Sequence, residues 1–330
     1  MKGLHRVQFR DLHDFLFRHS RMLLTTHVHP DGDAVSSLLA FGFLCRRLGR
    51  DADMYMADPI PDRFRFLPGA GGVVVVGADS LPRKYEGAVI LDVGSRDRIG
   101  KVEDCLAPSV EIVNIDHHIS NDQFGNINLL HLDASATSQI IYDIFGDFGF
   151  TPNPDEATCI YTGILSDTGR FRFSNTTSRA LEVASHLVSL GANPTYLADR
   201  IYYEMPLEDM QAMGKALTTL EMFGDGQVCA LFLSEDDEVQ DSDALVDLAL
   251  SIQGVEVALL FCEMDDGRVR ISLRSKNRVN VSELAEHFGG GGHFKAAGVR
   301  MRGTLESARD RLLPVVLEAV GIPQLGVTPA

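Results

Sequence analysis

Two histidines and two aspartates stand within seven residues in the stretch Thr25-Thr26-His27-Val28-His29-Pro30-Asp31-Gly32-Asp33-Ala34. Imidazole nitrogen mixed with carboxylate oxygen is a donor set for zinc, manganese or iron. Pro30 stiffens the backbone and Gly32 is expected to bend it, so that His27, Asp31 and Asp33 point to one centre. Three further places repeat this logic. Asp92 closes the apolar run 87–91, and Asp116-His117-His118 closes the run 110–115. Asp167 follows the apolar helical stretch 155–165 and enters the turn Thr168-Gly169. A lone aspartate after a strand is ordinarily a turn former or a helix cap. Three adjacent ligand-type residues at the end of a buried strand fit that reading poorly. Together His27, Asp31, Asp33, Asp92, His117 and Asp167 supply donors for two metal ions, with one carboxylate bridging. Such a pair clamps both the attacking and the leaving oxygen of a phosphoryl displacement. The set is rich in oxygen and free of thiolate, which favours manganese or magnesium and leaves zinc, iron or cobalt open.

These residues need a scaffold that brings distant loops together. The run 22–24 reads as a strand, and an apolar helical pattern follows it to Leu48, with Ser36 or Ser37 as its cap and Gly49 as its stop. Further strands are predicted at 53–57, 73–76, 87–92 and 110–116, the second of them buried by its four valines. Continuous apolar strands alternating with helices indicate a parallel sheet covered on both faces, with ligands bound at the carboxyl ends of the strands. Helices are predicted at 9–20, 135–148, 155–165, 178–190, 194–203 and 206–223. Strands at 228–233, 255–262 and 269–274, with a helix at 242–252, make a second, smaller mixed α/β domain. The predicted layout is a catalytic domain over 1–190, a helical linker over 191–215 and a substrate-binding domain over 216–330, with a frayed end from Ile322.

The second domain carries a different kind of motif, Phe288-Gly289-Gly290-Gly291-Gly292-His293-Phe294-Lys295-Ala296-Ala297-Gly298. Consecutive glycines let backbone amides approach an anion closely, although a bare glycine tract is more often a flexible loop. Residues 268–300 hold seven Lys/Arg against two acids, a local +5 in a chain of net charge −16. Arg268, Arg270 and Arg274 share parity and fall on one strand face, which reads either as a solvated face or as forks for phosphate. Arg274, Lys276, Gly291, Gly292 and His293 are the candidate substrate contacts.

Composition narrows the class. With 330 residues, 45% apolar and 23% charged, the chain is long enough for two cored domains. It has no apolar run near the roughly 20 residues of a membrane span, and no apolar segment near its start that would serve as a secretory signal. The five cysteines are scattered without a CxxC pair, as in a reducing cytoplasm. The acidic balance argues against a long basic track for long nucleic acid. A small anionic substrate held by metal ions and a few placed cations stays open.

In order and spacing, His27-Val28-His29-Pro30-Asp31-Gly32-Asp33-Ala34, Leu91-Asp92, Asp116-His117-His118 and Ser166-Asp167-Thr168-Gly169 resemble the four motifs of the DHH phosphoesterase superfamily. The Gly289–Gly292 segment with His293 is similar to the signature of the DHH-associated C-terminal domain. The resemblance implies that His27, Asp31 and Asp92 hold one metal, and that Asp33, Asp92, His117 and Asp167 hold the other. It implies that His118 contacts the scissile phosphate and that Asp116 orients the histidine pair. Length and layout are most similar to the NrnA group. That similarity implies two manganese ions and hydrolysis of very short oligoribonucleotides and of 3′-phosphoadenosine 5′-phosphate, with no long nucleic acid and no membrane as partner. A homodimer stays open. Alternative readings are a phosphodiesterase for cyclic dinucleotides or linear pApA, a single-strand DNA exonuclease, and a nucleotide-binding regulatory module without catalysis. Ser36 departs from the small glycine usual in the family.

Overall fold

The computed structural model describes residues 9–77, 84–204, 206–235, 237 and 242–322. The chain divides into two compact units, Met1–Glu204 and Met205–Ala330.

In the first unit, α1 (Arg10–Arg18) buries Leu12, Phe15 and Leu16 and leads into β1 (Arg21–Thr25). Then follow α2 (Gly32–Arg47), β2 (Asp51–Met56), β3 (Val74–Val75), β4 (Tyr85–Leu91), β5 (Leu106–Asp116) and β6 (Ile127–Leu130). Helices α3 (Thr137–Asp147), α4 (Pro154–Asp167), α5 (Ser178–Ser189) and α6 (Pro194–Ala198) come next, and a π-helical turn at Asp199–Tyr203 closes the unit. All six strands are parallel, in the order β3-β2-β1-β4-β5-β6. Alternate residues feed two cores. Met22, Leu24, Val89, Leu91, Val113 and Ile115 pack with α2, α3 and α4, while Leu23, Ala88, Ile90 and Ile112 pack with Ile99 and Val102 on the other face. The strand order reverses between β1 and β4, and the crevice at such a switch point is where open α/β sheets take their ligands.

Three expectations are corrected. The valine run 73–76 pairs only at Val74–Val75, on the open edge of the sheet, where both side chains are exposed. A β-branched run marks an edge strand as readily as a buried one. Ser36 and Ser37 lie inside α2, and Asp31 is its cap, accepting from the Asp33 and Ala34 amides at 3.0 Å. Gly32 opens that helix and does not bend the loop.

The second unit contains α7 (Leu207–Leu217), β7 (Glu221–Phe223), β8 (Val228–Leu233), α8 (Ser242–Leu250), β9 (Val257–Glu263), β10 (Arg268–Ser275), α9 (Val281–Glu286), β11 (Gly291–His293), β12 (Ala296–Arg302) and α10 (Leu305–Ala319). Its sheet runs β11-β12-β10-β9-β8-β7, with β8 and β9 parallel and every other pair antiparallel. The helix expected over 206–223 stops at Leu217, and 221–223 instead pairs with β8. The predicted linker region is shared out, α6 and the π-turn falling in the first unit and α7 in the second. Residues 323–330, expected to fray, lie outside the described residues. No described helix is long and apolar enough to cross a membrane.

Candidate metal centre

Four loops of the first unit converge beyond the carboxyl ends of β1, β4 and β5. After β1, the His27 Nδ1–H donates to the Val28 carbonyl at 2.8 Å. That bond fixes the tautomer and leaves Nε2 with a lone pair. Asp31 divides its carboxylate. Oδ1 caps α2, while Oδ2 stands 4.0 Å from His27 Nε2. His29, the second histidine of this stretch, points away; its side chain is largely exposed and its amide donates to Asp58.

Asp92 holds the left-handed backbone conformation, φ +62°, with its amide bonded to the Ile115 carbonyl at 2.9 Å. Such strain in a non-glycine residue persists where the surroundings over-determine it, commonly at a functional site. Asp33 is held by the start of α3. Its Oδ2 accepts the Thr137 amide at 2.6 Å, and its Oδ1 accepts the Ser138 amide and hydroxyl and the Ser37 hydroxyl. Thr137 reaches a second carboxylate as well, donating its hydroxyl to Asp92 Oδ1 at 2.9 Å. Gly163 makes room for this cluster, since a Cβ there would stand 2.5 Å from Asp33 Oδ1. Asp167, the last residue of α4, accepts from Asn175 Nδ2 at 3.2 Å. His117 Nδ1 faces the Ala134 carbonyl at 3.3 Å, which turns Nε2 inward. Asp116 is buried under the next residues, its Oδ1 taking the His117 amide at 2.8 Å and His118 Nδ1–H at 2.6 Å.

The spacing of the inward atoms tests whether a metal fits. Asp92 Oδ2 lies 3.7 Å from His27 Nε2, and Asp92 Oδ1 lies 3.7 Å from His117 Nε2. His117 Nε2 is 3.6 Å from Asp167 Oδ2. These separations are too long for hydrogen bonds. Two donors each about 2.1 Å from one ion stand about 3–4 Å apart, so the separations suit a shared cation. His27, Asp31 and Asp92 form one such group, and Asp92, His117 and His118 form another, with donor atoms in each within 4.8 Å of one another. In the second group, His118 Nδ1 is already committed to Asp116, whereas Asp167 Oδ2 is aimed at His117. The residues therefore fit metal binding.

The electrostatics agree. Burial and the neighbouring Asp92 and Asp167 charges push Asp33 up to about 8. Burial, with Asp31 and Asp92 near, lifts Asp167 to about 7 against the opposing pull of His117. Burial opposes charge on His117, but Asp167, Asp92 and Asp33 carry it to about 9. Asp92 goes the other way, since His27, His118 and His117 overcome its burial and hold it ionised. A buried site that keeps protons on carboxylates carries surplus negative charge, and a cation displaces those protons.

In the second unit, Gly291 and Gly292 lie on β11, the edge strand. Gly292 has φ +152°, and a Cβ there would come 2.4 Å from the Ala296 carbonyl, so only glycine fits. Arg274 is paired with Ala296 on β12, and Ala296 with His293 on β11. The His293 side chain lies outside the described residues. The Arg274 guanidinium donates to the Leu273 carbonyl at 3.2 Å, with Asp247 at 3.9 Å. Lys276 turns its ammonium to the Ile252 carbonyl at 3.2 Å, beside a cavity of about 420 Å³ that Glu256 and Arg278 also line.

Sequence reasoning missed the residues that hold the proposed ligands, Ser37, Thr137, Ser138 and Asn175, and Asn121, which holds Asp116. Each reads in sequence as an ordinary cap or turn former, and only the fold carries them to the site. The nearest signal is the pair Thr137-Ser138 at a helix start, where free amides await an acid.

Fold and site present a carboxylate–imidazole cluster able to hold a metal ion at the switch point of a parallel sheet. Residues 21–164 match the DHH family N-terminal domain, and residues 225–321 match the DHHA1 domain. The chain is 35% identical to the bifunctional oligoribonuclease and PAP phosphatase NrnA of Thermus thermophilus, over 89% of each chain. It is 28% identical to the protein of the same name from Bacillus subtilis, over 88% of this chain and 92% of the other. An exopolyphosphatase-related protein from Bacteroides fragilis has the same fold, with a TM-score of 0.86 at 25% identity, covering 95% of this chain and 96% of that one. The chain belongs to the DHH family of phosphoesterases.

Proposed function

We propose that this chain is a two-metal enzyme that hydrolyses very short oligoribonucleotides to mononucleotides and 3′-phosphoadenosine 5′-phosphate to AMP. The observation that carries the two-metal reading is Asp92, whose two oxygens each stand 3.7 Å from a different inward histidine nitrogen. Similarity along most of the chain to a bifunctional oligoribonuclease and PAP phosphatase supports the substrates. In this reading His27, Asp31 and Asp92 hold one ion, and Asp33, Asp92, His117 and Asp167 the other, manganese being the first expectation. When bound, the ions lower the pKa of water and draw off charge from the phosphoryl oxygens.

The chain's own residues do the rest. Asp116 accepts from His118 Nδ1 and so aims Nε2 outward. Burial opposes charge on His118, but Asp116 and Asp92 raise its pKa and favour the imidazolium. That ring then donates Nε2–H to a phosphoryl oxygen as negative charge builds there. The leaving group is a ribose 3′-oxygen in both substrates. Breaking that 3′-O–P bond turns a 5′-phosphorylated dinucleotide into two mononucleotides, and 3′-phosphoadenosine 5′-phosphate into AMP and phosphate. Arg274, Lys276, Gly291, Gly292 and His293 are the proposed contacts for the remaining phosphate and base. The five cysteines are buried and none forms a disulfide, which supports a cytoplasmic setting.

A substrate panel with manganese, and again with chelator, tests the proposal. It contains 5′-labelled RNA of about two to seven nucleotides, a 24-mer, 3′-phosphoadenosine 5′-phosphate, cyclic di-AMP, linear pApA and pyrophosphate. The expected result is turnover of RNA dinucleotides and of 3′-phosphoadenosine 5′-phosphate, abolished by chelator. Turnover confined to cyclic di-AMP or pyrophosphate overturns the substrate assignment, and turnover unaffected by chelator overturns the metal.

A further inference from the structure

We infer that Asn121 is a positioning residue that sets the orientation of His118 through Asp116. The inference rests on the catalytic part given above to His118. Asn121 is buried, three residues beyond His118 on the loop that follows β5. Its amide can be oriented without ambiguity. Oδ1 accepts from the Gln123 amide at 2.7 Å, and a backbone N–H can only donate. Nδ2 therefore faces Asp116 Oδ2 at 2.6 Å, Asn114 Oδ1 at 2.8 Å and the Val93 carbonyl at 3.1 Å. The two amide hydrogens go to the two nearest acceptors. Asn114 is itself anchored, with Nδ2 on the Val93 carbonyl at 3.1 Å.

This accounts for the whole Asp116 carboxylate. Oδ1 holds the His117 amide and His118 Nδ1–H, and Oδ2 holds Asn121. A carboxylate gripped at both oxygens cannot rotate about its own bond. Its Oδ1 therefore stays where the His118 ring needs an acceptor. If Asn121 is removed, Oδ2 is buried without that donor, and turning toward another partner would carry Oδ1 away from the ring. The support is rigid by construction. Gln123 adopts φ +56°, a costly conformation for a residue with a side chain, and in it presents its amide to Asn121. The Asp122 amide ties the same loop to the Gly94 carbonyl, two residues past Asp92. Asn121 touches neither the proposed ligand atoms nor any atom that would meet substrate. Of its partners, Asp116 is the one whose carboxylate holds the His118 ring.

A double-mutant cycle tests this, with a 5′-phosphorylated RNA dinucleotide and manganese. Asn121→Ala is expected to lower kcat about 10- to 100-fold, the usual cost of losing an orienting partner, with KM changed less than about threefold. In a His118→Ala background the same substitution is expected to cost less than about twofold, because the ring that Asp116 holds through Nδ1 is gone. A second readout needs neither metal nor substrate. In metal-free protein labelled with ¹⁵N-histidine, the downfield His118 Nδ1 proton bonded to Asp116 should move upfield or broaden in Asn121→Ala. Asn121→Asp keeps the acceptor for Gln123 and carries the same cycle if the alanine variant does not fold. An equal rate loss with and without His118, or an unmoved Nδ1 proton, overturns the inference and leaves the role of His118 standing. If His118→Ala alone costs no rate, the proposed mechanism fails before Asn121 is reached.

Discussion

The two units hold their polar residues in opposite ways. In the first, His27, Asp31 and His117 each spend one atom on a fixed protein partner and turn another inward, on Val28, the start of α2 and the Ala134 carbonyl, whereas Asp33 has both oxygens held by Ser37, Thr137 and Ser138. The inward atoms stand 3.6–4.0 Å apart and do not satisfy one another. In the second, the cations of the basic strand and the turn after it are already occupied. Arg268 pairs with Asp266, Arg274 with the Leu273 carbonyl and Lys276 with the Ile252 carbonyl. A preorganised set of half-satisfied donors is what a reaction centre requires. Locally satisfied cations on a sheet face add affinity at small cost when a phosphate displaces a carbonyl. Chemistry should therefore depend on the first set almost absolutely, and on the second set only through binding.

Asp92 gives the largest expected effect. Asp92→Ala removes the carboxylate shared by both proposed metal groups, and each forfeits several kcal/mol of charge stabilisation, so turnover should fall at least about a thousandfold at saturating manganese. Activity within about tenfold of the parent would break the two-metal side of the comparison. His118→Ala comes next. It should lower kcat about a hundredfold while leaving metal stoichiometry intact, because its Nδ1 is bonded to Asp116. If calorimetry finds one metal lost in this variant, then His118 and not Asp167 completes the second group.

The reach of the sequence differs between the same two regions. The loops that converge at the candidate site were legible because metal chemistry restricts residue type and because apolar strands end abruptly at Asp92 and Asp116. The parallel sheet was legible for the same reason, since strands buried on both faces read as unbroken apolar runs. What failed was set by partners distant in sequence. β3 looked buried because four valines carry no sign of an edge, and β6 escaped notice because Ile127–Leu130 is short and contains an asparagine. The Asp33 clasp by Thr137 and Ser138 spans more than a hundred residues and leaves no local trace. The bond from the Lys276 ammonium to the Ile252 carbonyl, which lies just past α8, is equally invisible in sequence.

A smaller effect sharpens the binding side. Arg274→Ala should raise KM for dinucleotides about tenfold, the worth of one charge-assisted bond, and spare hydrolysis of a minimal aryl phosphate diester. For the same reason kcat/KM should peak at about two to four nucleotides and fall at least about tenfold by a 24-mer, with a shallow salt slope. An acidic chain with one basic region has no further grip to offer a long strand. Loss of activity on the minimal diester in Arg274→Ala would show that the second unit shares in the chemistry, and the contrast between the units would collapse.

The smallest effect concerns the metal-free protein and follows from protons standing in for cations. Asp33 titrates near 8, Asp167 near 7 and His117 near 9 in the folded chain, all above their values in an unfolded one. As pH rises, an unfolded chain gives up its carboxyl protons near about 4 and its imidazole protons near about 6.5, while the folded site keeps them. The stability these groups contribute is complete at the acidic end and is lost as pH climbs through the folded values. Asp92 and Asp116 are shifted downward and act in the opposite sense, losing their contribution only on strong acidification. Between about pH 6 and pH 9, then, the metal-free Tm should fall by at least about 3 °C. Manganese displaces the same protons, so its stabilisation should grow over that window, with proton release detectable by calorimetry in buffers of different ionisation enthalpy. Arg274→Ala should leave this behaviour unchanged, because the second unit contributes none of the titrating groups. A metal-free Tm that is flat or rising with pH would mean that the carboxylates of the first unit are not crowded around a cation site.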